Sequence, residues 1–253
     1  MHDLLYQVEN LWKRFPDGTE ALKGINLELF QGQCTLIAGS NGSGKTLFMK
    51  TLVGLVEPSD GRILYKGKPY SQMVTEIRKS VGLVFQDPDA QIIGETVWDD
   101  VAFGPKNLGL RGEALIHQTE AIVRTMELLP KKDVPPRRLS GGEKRRLAVA
   151  GILAMGGETV IMDEPFANLD YPGVVQVLRL IYTLKQEGKT VIVLTHELEK
   201  ILSLADRLVI LHQGSIRDDG EPEAVLNRLI PAYGIRDPRQ TYGTIKDCTW
   251  LEK

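Results

Sequence analysis

Cysteine is scarce in this chain. Only Cys34 and Cys248 occur among 253 residues, far apart and without metal-ligand spacing. That excludes a disulfide-stapled or zinc-built fold and predicts free thiols in a reducing cytoplasm. Long apolar runs are missing too: none approaches the ~20 residues a membrane-spanning helix needs. The opening segment MHDLLYQVEN has neither the charged start nor the apolar stretch of a secretory signal. Charge of one sign is also lacking, since the formal net charge is −2. No global field therefore draws the chain toward nucleic acid or anionic lipid. There are no internal repeats and no low-complexity tract. Any membrane role is expected to come through a partner.

Hydrophobic residues make up 42% of the chain and charged residues 25%, the balance of a globular protein with a full core. Short β-branched runs alternate with helical patterns, which predicts an α/β fold with a mostly parallel sheet. The strands are expected at 34–39, 81–85, 159–163, 190–195 and 207–211. Their apolar residues are consecutive rather than alternating, as in strands buried on both faces. Val174, Val177, Leu178, Ile181 and Leu184 form a helical stripe between two of them, closed by Glu187-Gly188-Lys189. Segments near 4–10 and 25–30, separated by Pro16-Asp17-Gly18, predict a small antiparallel flank. Residues 95–155 carry helical patterns with few strand signals and read as a helical insertion. Beyond about 220, Pro222, Pro231 and Pro238 break any long helix, and no firm structure is expected.

The strongest chemical signal is GSNGSGKT, 39–46, between a strand and a helical pattern. Gly39, Gly42 and Gly44 let the backbone curl so that the amides of Ser40, Asn41 and Ser43 turn inward on phosphate oxygens. The following helix adds the positive end of its dipole. Lys45 can reach the β- and γ-phosphates of ATP, and the Thr46 hydroxyl can ligate Mg²⁺. Leu47 stands where many such loops carry a second hydroxyl. The strand 159–163 ends in Asp163 and Glu164, an acid pair that is costly there unless it faces a cation or a water to be polarised. Asp163 suits the Mg²⁺ shell, and Glu164 suits the base that deprotonates an attacking water.

In LSGGEKRR, 139–146, Ser140 and Glu143 form a capping box, while Gly141 and Gly142 bare the first-turn amides. A second anion site makes sense if two chains meet head to tail over each other's ATP. These residues resemble the signature of the ATP-binding cassette (ABC) family, and the remaining motifs follow in that family's order. The resemblance covers about residues 4–225 and implies a P-loop, RecA-like core with an N-terminal antiparallel flank and a helical subdomain inserted at about 88–156. Residues 226–253 would form a C-terminal tail. It further implies that Gln86 touches Mg²⁺ and senses the γ-phosphate, and that Asp170 makes a contact across the dimer. His196 would hold the γ-phosphate and the water. Phe15 resembles the aromatic that stacks on adenine, with Trp12 as its rival.

The stretch 85–110, FQDPDAQIIGETVWDDVAFGPKNLGL, is similar to the energy-coupling-factor ATPases, including the cobalt/nickel type. That resemblance implies a peripheral subunit on the cytoplasmic face of the membrane, powering uptake of a vitamin or transition-metal ion. The partners implied are a second ABC ATPase (a copy or a related paralogue), a transmembrane coupling protein and a solute-binding membrane component. Nucleic acid is not among them. Ile92, Ile93, Val97 and Trp98 are apolar residues that a coupling helix could use, or that pack the insertion. The basic cluster Arg137, Arg138, Lys144, Arg145 and Arg146 reads as a solvated or phosphate-proximal face. The alternatives are a subunit of another ABC transporter or a non-transport ABC ATPase.

Overall fold

The computed structural model describes residues 3–239. The flank consists of β1 (Leu4–Arg14), β2 (Glu20–Phe30), β4 (Asp60–Tyr65) and β5 (Lys68–Pro69), paired antiparallel in the order β2-β1-β4-β5. Its first two strands run longer than the sequence suggested. The main sheet holds β3 (Cys34–Ala38), β6 (Val81–Val84), β7 (Thr159–Asp163), β8 (Thr190–Thr195), β9 (Arg207–His212) and β10 (Ser215–Gly220). Its order is β10-β9-β3-β8-β7-β6, parallel except for the β9–β10 hairpin.

The helices are α1 (Lys45–Leu52), α2 (Tyr70–Ser80), α3 (Val97–Asn107), α4 (Gly112–Thr125), α5 (Gly141–Ala154), α6 (Tyr171–Gln186), α7 (Leu198–Ile201) and α8 (Pro222–Leu226). No strand of the described residues interrupts α3 to α5, which lie between β6 and β7. Successive residues of one central strand point to opposite cores. Val160 and Met162 pack with α5 and α6 residues, whereas Ile161 packs with the flank and α1. This double burial explains the unbroken apolar runs.

Past residue 220 the structure departs from the expectation. The prolines do break the chain into short pieces, yet Val225, Leu226 and Ile235 are buried in the core on the α6 side. Hydrophobic burial orders a segment that proline content alone would leave irregular. Residues 240–253, with Cys248 and the end of the tail, lie outside the described residues. Cys34 is buried and unpaired, and burial pushes its thiol up to about 12.

Close packing at β6 allows a stability test. A Cβ on Gly82 would stand 2.2 Å from the Ile152 side chain of α5. Gly82→Ala is expected to cost about 1–3 kcal/mol by overpacking, read by urea denaturation. Adding Ile152→Ala should return part of that loss, because the clash is with that side chain.

Candidate active site

The phosphate loop leaves the carboxyl end of β3 and enters α1 through Gly44, whose φ of 105° only glycine adopts without strain. The loop walls a cavity of about 510 Å³ lined by Asn41 to Leu47 together with Gln86 and Glu164, a volume suited to a nucleotide-sized ligand. Gly39 and Ser40 contribute carbonyls that accept from Lys45 Nζ at 2.6 and 3.2 Å. Leu47 lines the cavity with its aliphatic side chain and packs against the flank-side core.

Residues far apart in sequence meet here. Thr46 donates its hydroxyl to Asp163 Oδ2 at 2.7 Å. Glu164 Oε1 lies 3.4 Å from Lys45 Nζ and 3.0 Å from His196 Nδ1. Glu164 adopts φ +45°, unusual for a non-glycine residue, and its amide donates to Leu194 O on β8. Such backbone stores of order 1 kcal/mol or more of strain, tolerated where the surroundings fix it. Burial pushes the Asp163 carboxyl above its ordinary range; the Thr46 hydrogen bond opposes this and the Glu164 charge adds to it. His196 is exposed at the end of β8.

Three buried oxygens at this site have no hydrogen-bond partner among the described residues: Ser43 Oγ, Asp163 Oδ1 and Glu164 Oε2. Buried polar atoms are rarely left unsatisfied. A hydroxyl on the phosphate loop and two carboxylate oxygens facing it are the donor set for a nucleoside triphosphate with a hard divalent cation. The residues present fit MgATP.

Not every expected residue reaches this cavity. Ser140, Gly141, Gly142, Glu143 and Asp170 do not line it. Ser140 caps α5, accepting from the Glu143 amide, while Glu143 Oε2 accepts from the Ser140 amide at 2.9 Å. Asp170, exposed, caps α6 through Gly173. Neither aromatic candidate lines the wall. Trp12 is engaged with Asn10 Oδ1 and the Arg14 guanidinium. Phe15 is 40% exposed, and its amide donates to the carbonyl of Thr19, which does line the cavity.

Sequence reading missed Thr19, Glu20, Ala21 and Lys23 of the flank and Gln213-Gly214 of the β9–β10 turn, all of which line the cavity. They carry no motif; Gly214 reaches the loop by donating to Ser43 O and accepting from the Lys23 amide. The basic cluster is divided: Arg137 and Arg138 are exposed, as a solvated face would be, and the other three are partly or fully buried. Lys144 pairs with Asp89, Arg146 pairs with Glu127, and Arg145 is buried. Among the four apolar residues offered for a partner helix, Val97 is fully buried and Ile92 packs on the core. Trp98 is half-buried beside Lys132, and only Ile93 is openly exposed.

Fold and site together define an ATP-binding cassette, a P-loop ATPase with helices inserted between two strands of its parallel sheet. Residues 22–167 match the ABC transporter family. The chain is 39% identical over 240 residues to the energy-coupling factor transporter ATP-binding protein of Methanocaldococcus jannaschii, covering 93% of this chain and 86% of that one. It is 40% identical to the protein of the same description from Carboxydothermus hydrogenoformans, covering 93% and 88%. The solved structure of CbiO1 from Clostridium perfringens, described as part of the ABC transporter complex CbiONQ, superposes with a TM-score of 0.83 at 35% identity. That match covers 89% of this chain and 91% of CbiO1. A nucleotide-free cassette from an ABC transporter, 22% identical with a TM-score of 0.79, shares the fold. The chain belongs to the ABC transporter ATPases and, within them, to the ATP-binding proteins of energy-coupling factor transporters. It binds ATP and hydrolyses it to power transport. No helix of the described residues is long and apolar enough to cross a membrane.

Proposed function

We propose that two such subunits, identical or paralogous, sandwich two MgATP molecules head to tail on the cytoplasmic face of the membrane. Their hydrolysis would drive uptake of a vitamin or transition-metal ion through membrane partners. The observation that supports the head-to-tail arrangement is that the chain has two helix N-termini opened by glycines, a geometry suited to an anion. One opens its own cavity; the other, at Ser140, is exposed and outside it. Asp170 is exposed and outside it as well, available to the second subunit.

Each side chain then has a task. Lys45 leaves its loop carbonyls for the β- and γ-phosphates. Thr46, Asp163 and Gln86 would hold Mg²⁺, which supplies charge neutralisation to the phosphates. Glu164 Oε1 is held by Lys45 and His196, so Oε2 is the atom left to take the proton of the attacking water. His196 orients that carboxylate. Phe15, with its exposed ring, is better disposed than Trp12 to cover adenine.

The coupling surface is a groove of about 340 Å³ between the segment after Gln86 and helices α3 and α5. Ile93, Phe103, Leu108 and Met155 line it, four of the ten large hydrophobic side chains exposed on the described surface. Such clustering marks a docking site for an apolar partner. Asp100 fixes its rim by accepting from the Ile93 and Gly94 amides at 2.8 and 2.9 Å. Gln91 ties it to β6 by donating to Leu83 O. A cytoplasmic helix of the transmembrane partner seated here would feel Gln86 move.

Mass spectrometry of what co-purifies from detergent-solubilised native membranes tests this. A polytopic membrane protein with a small solute-binding membrane protein is expected; only soluble proteins or nucleic acid would overturn the transport role. Phe103→Glu should strip the membrane partner while leaving ATPase activity of the isolated subunit within about twofold. Retention of the partner by that variant would remove the groove from the interface.

A further inference from the structure

Arg145 directly follows Lys144 in α5, and it is 4% exposed. No carboxylate of the described residues pairs with it directly; Asp87 acts on it only at longer range. Its guanidinium instead donates to three backbone carbonyls: Ala167 O at 2.8 Å, Gly141 O at 3.3 Å and Gln86 O at 3.4 Å. Burying a cation without a counter-ion is costly. Carbonyl acceptors on two loops and on the first turn of its own helix offset part of that cost, although Nε is left without a partner. A planar fork of donors is the side-chain group that reaches several of them at once.

The three carbonyls belong to three different parts of the machinery. Gln86 lines the chain's own cavity. Ala167 lies in the loop between Glu164 and Asp170. Gly141 is in the first turn of α5, directly after Ser140. An independent contact joins two of them, since a Cβ on Gly141 would stand 2.7 Å from Leu169 Cδ2. The loop that carries Asp170 thus leans on the helix end that carries Ser140.

We propose that Arg145 is a positioning residue that couples a chain's own nucleotide cavity to the surface offered to the second subunit's ATP. Movement of Gln86 or of the Glu164 loop displaces a carbonyl bound by the guanidinium. The fork passes that shift to the Gly141 turn, so Ser140 and Asp170 are presented together. The proposal rests on the head-to-tail dimer described above. It asks nothing of Arg145 in binding nucleotide within one chain, because its side chain does not line the cavity.

The test uses the full chain carrying Glu164→Gln, in which a closed dimer should accumulate with ATP, with and without Arg145→Lys. Lysine keeps the charge and loses the fork. ATP affinity of the monomer should stay within about twofold, while the ATP concentration that drives dimerisation rises about tenfold or more, the loss of one or two charge-assisted hydrogen bonds. In the chain with native Glu164, kcat should fall by a similar factor, with KM for ATP little changed. Unchanged dimerisation and kcat in a folded Arg145→Lys protein would overturn the proposal, as would a parallel loss of monomer ATP affinity. Absence of an ATP-driven dimer in the parent itself would instead remove the head-to-tail arrangement, and the proposal with it. Hydrogen exchange on the chain with native Arg145 gives a readout independent of how the variant folds. Amides near 86–89, 141–144 and 167–170 should gain protection at one common ATP concentration. Protection of one segment without the other two would also overturn it.

Discussion

Glu164→Gln is expected to lower ATP turnover by about 10²–10⁴-fold while ATP affinity stays within about threefold. The amide keeps the shape of the carboxylate, so the left-handed turn at 164 and the contact with His196 are retained. What it loses is the capacity to take a proton at Oε2, the oxygen that the chain leaves without a partner. It also loses the negative charge 3.4 Å from Lys45 Nζ. Lys45 is then released more readily toward phosphate, which is why affinity should not fall. Phosphate release by the purified subunit and equilibrium binding of an ATP analogue separate the two effects. Turnover within about threefold of the native chain would show that another group serves as base.

Ser140→Arg is expected to abolish the ATP-driven dimer and lower turnover by about 10²-fold or more, with monomeric ATP binding intact. Ser140 is exposed and its hydroxyl accepts from the Glu143 amide. An arginine there removes the cap and covers the helix amides with a bulky side chain. The cap alone is worth about 1 kcal/mol, so Ser140→Ala serves as a control that is modestly less stable yet still dimerises in part. Light scattering with and without ATP reads the outcome. An unchanged dimer in Ser140→Arg would show that the subunits meet by another face.

Much of the site was legible because its parts are contiguous. The phosphate loop and the capping box each complete their geometry within eight residues, where backbone conformation and helix capping follow local sequence. Asp163 and Glu164 were legible because an acid pair at the end of a buried apolar strand has few structural uses. Other features were not legible because they have no local signal. Lys23 and Gln213 line the cavity only because strand order brings the flank and the β9–β10 hairpin to the loop. Val97 looked available to a partner but is core, since one turn of helix decides which apolar residue faces in. Arg145 read as one of a basic run, and its burial depends on two loops, at Gln86 and Ala167, closing on the first turn of its own helix.

By itself the sequence determined the class of fold, the nucleotide chemistry and the order of the motifs, because strand burial, glycine placement and capping are written at short range. Only the tertiary structure decided which groups touch. Thr46 meets Asp163 across 117 residues and Glu164 meets His196 across 32, joined by the parallel alignment of β3, β8 and β7. It also decided which charges are buried, which apolar side chains remain for a partner, and that Val225, Leu226 and Ile235 close the core. Those outcomes depend on burial, and burial is a property of the whole packed chain rather than of any segment within it.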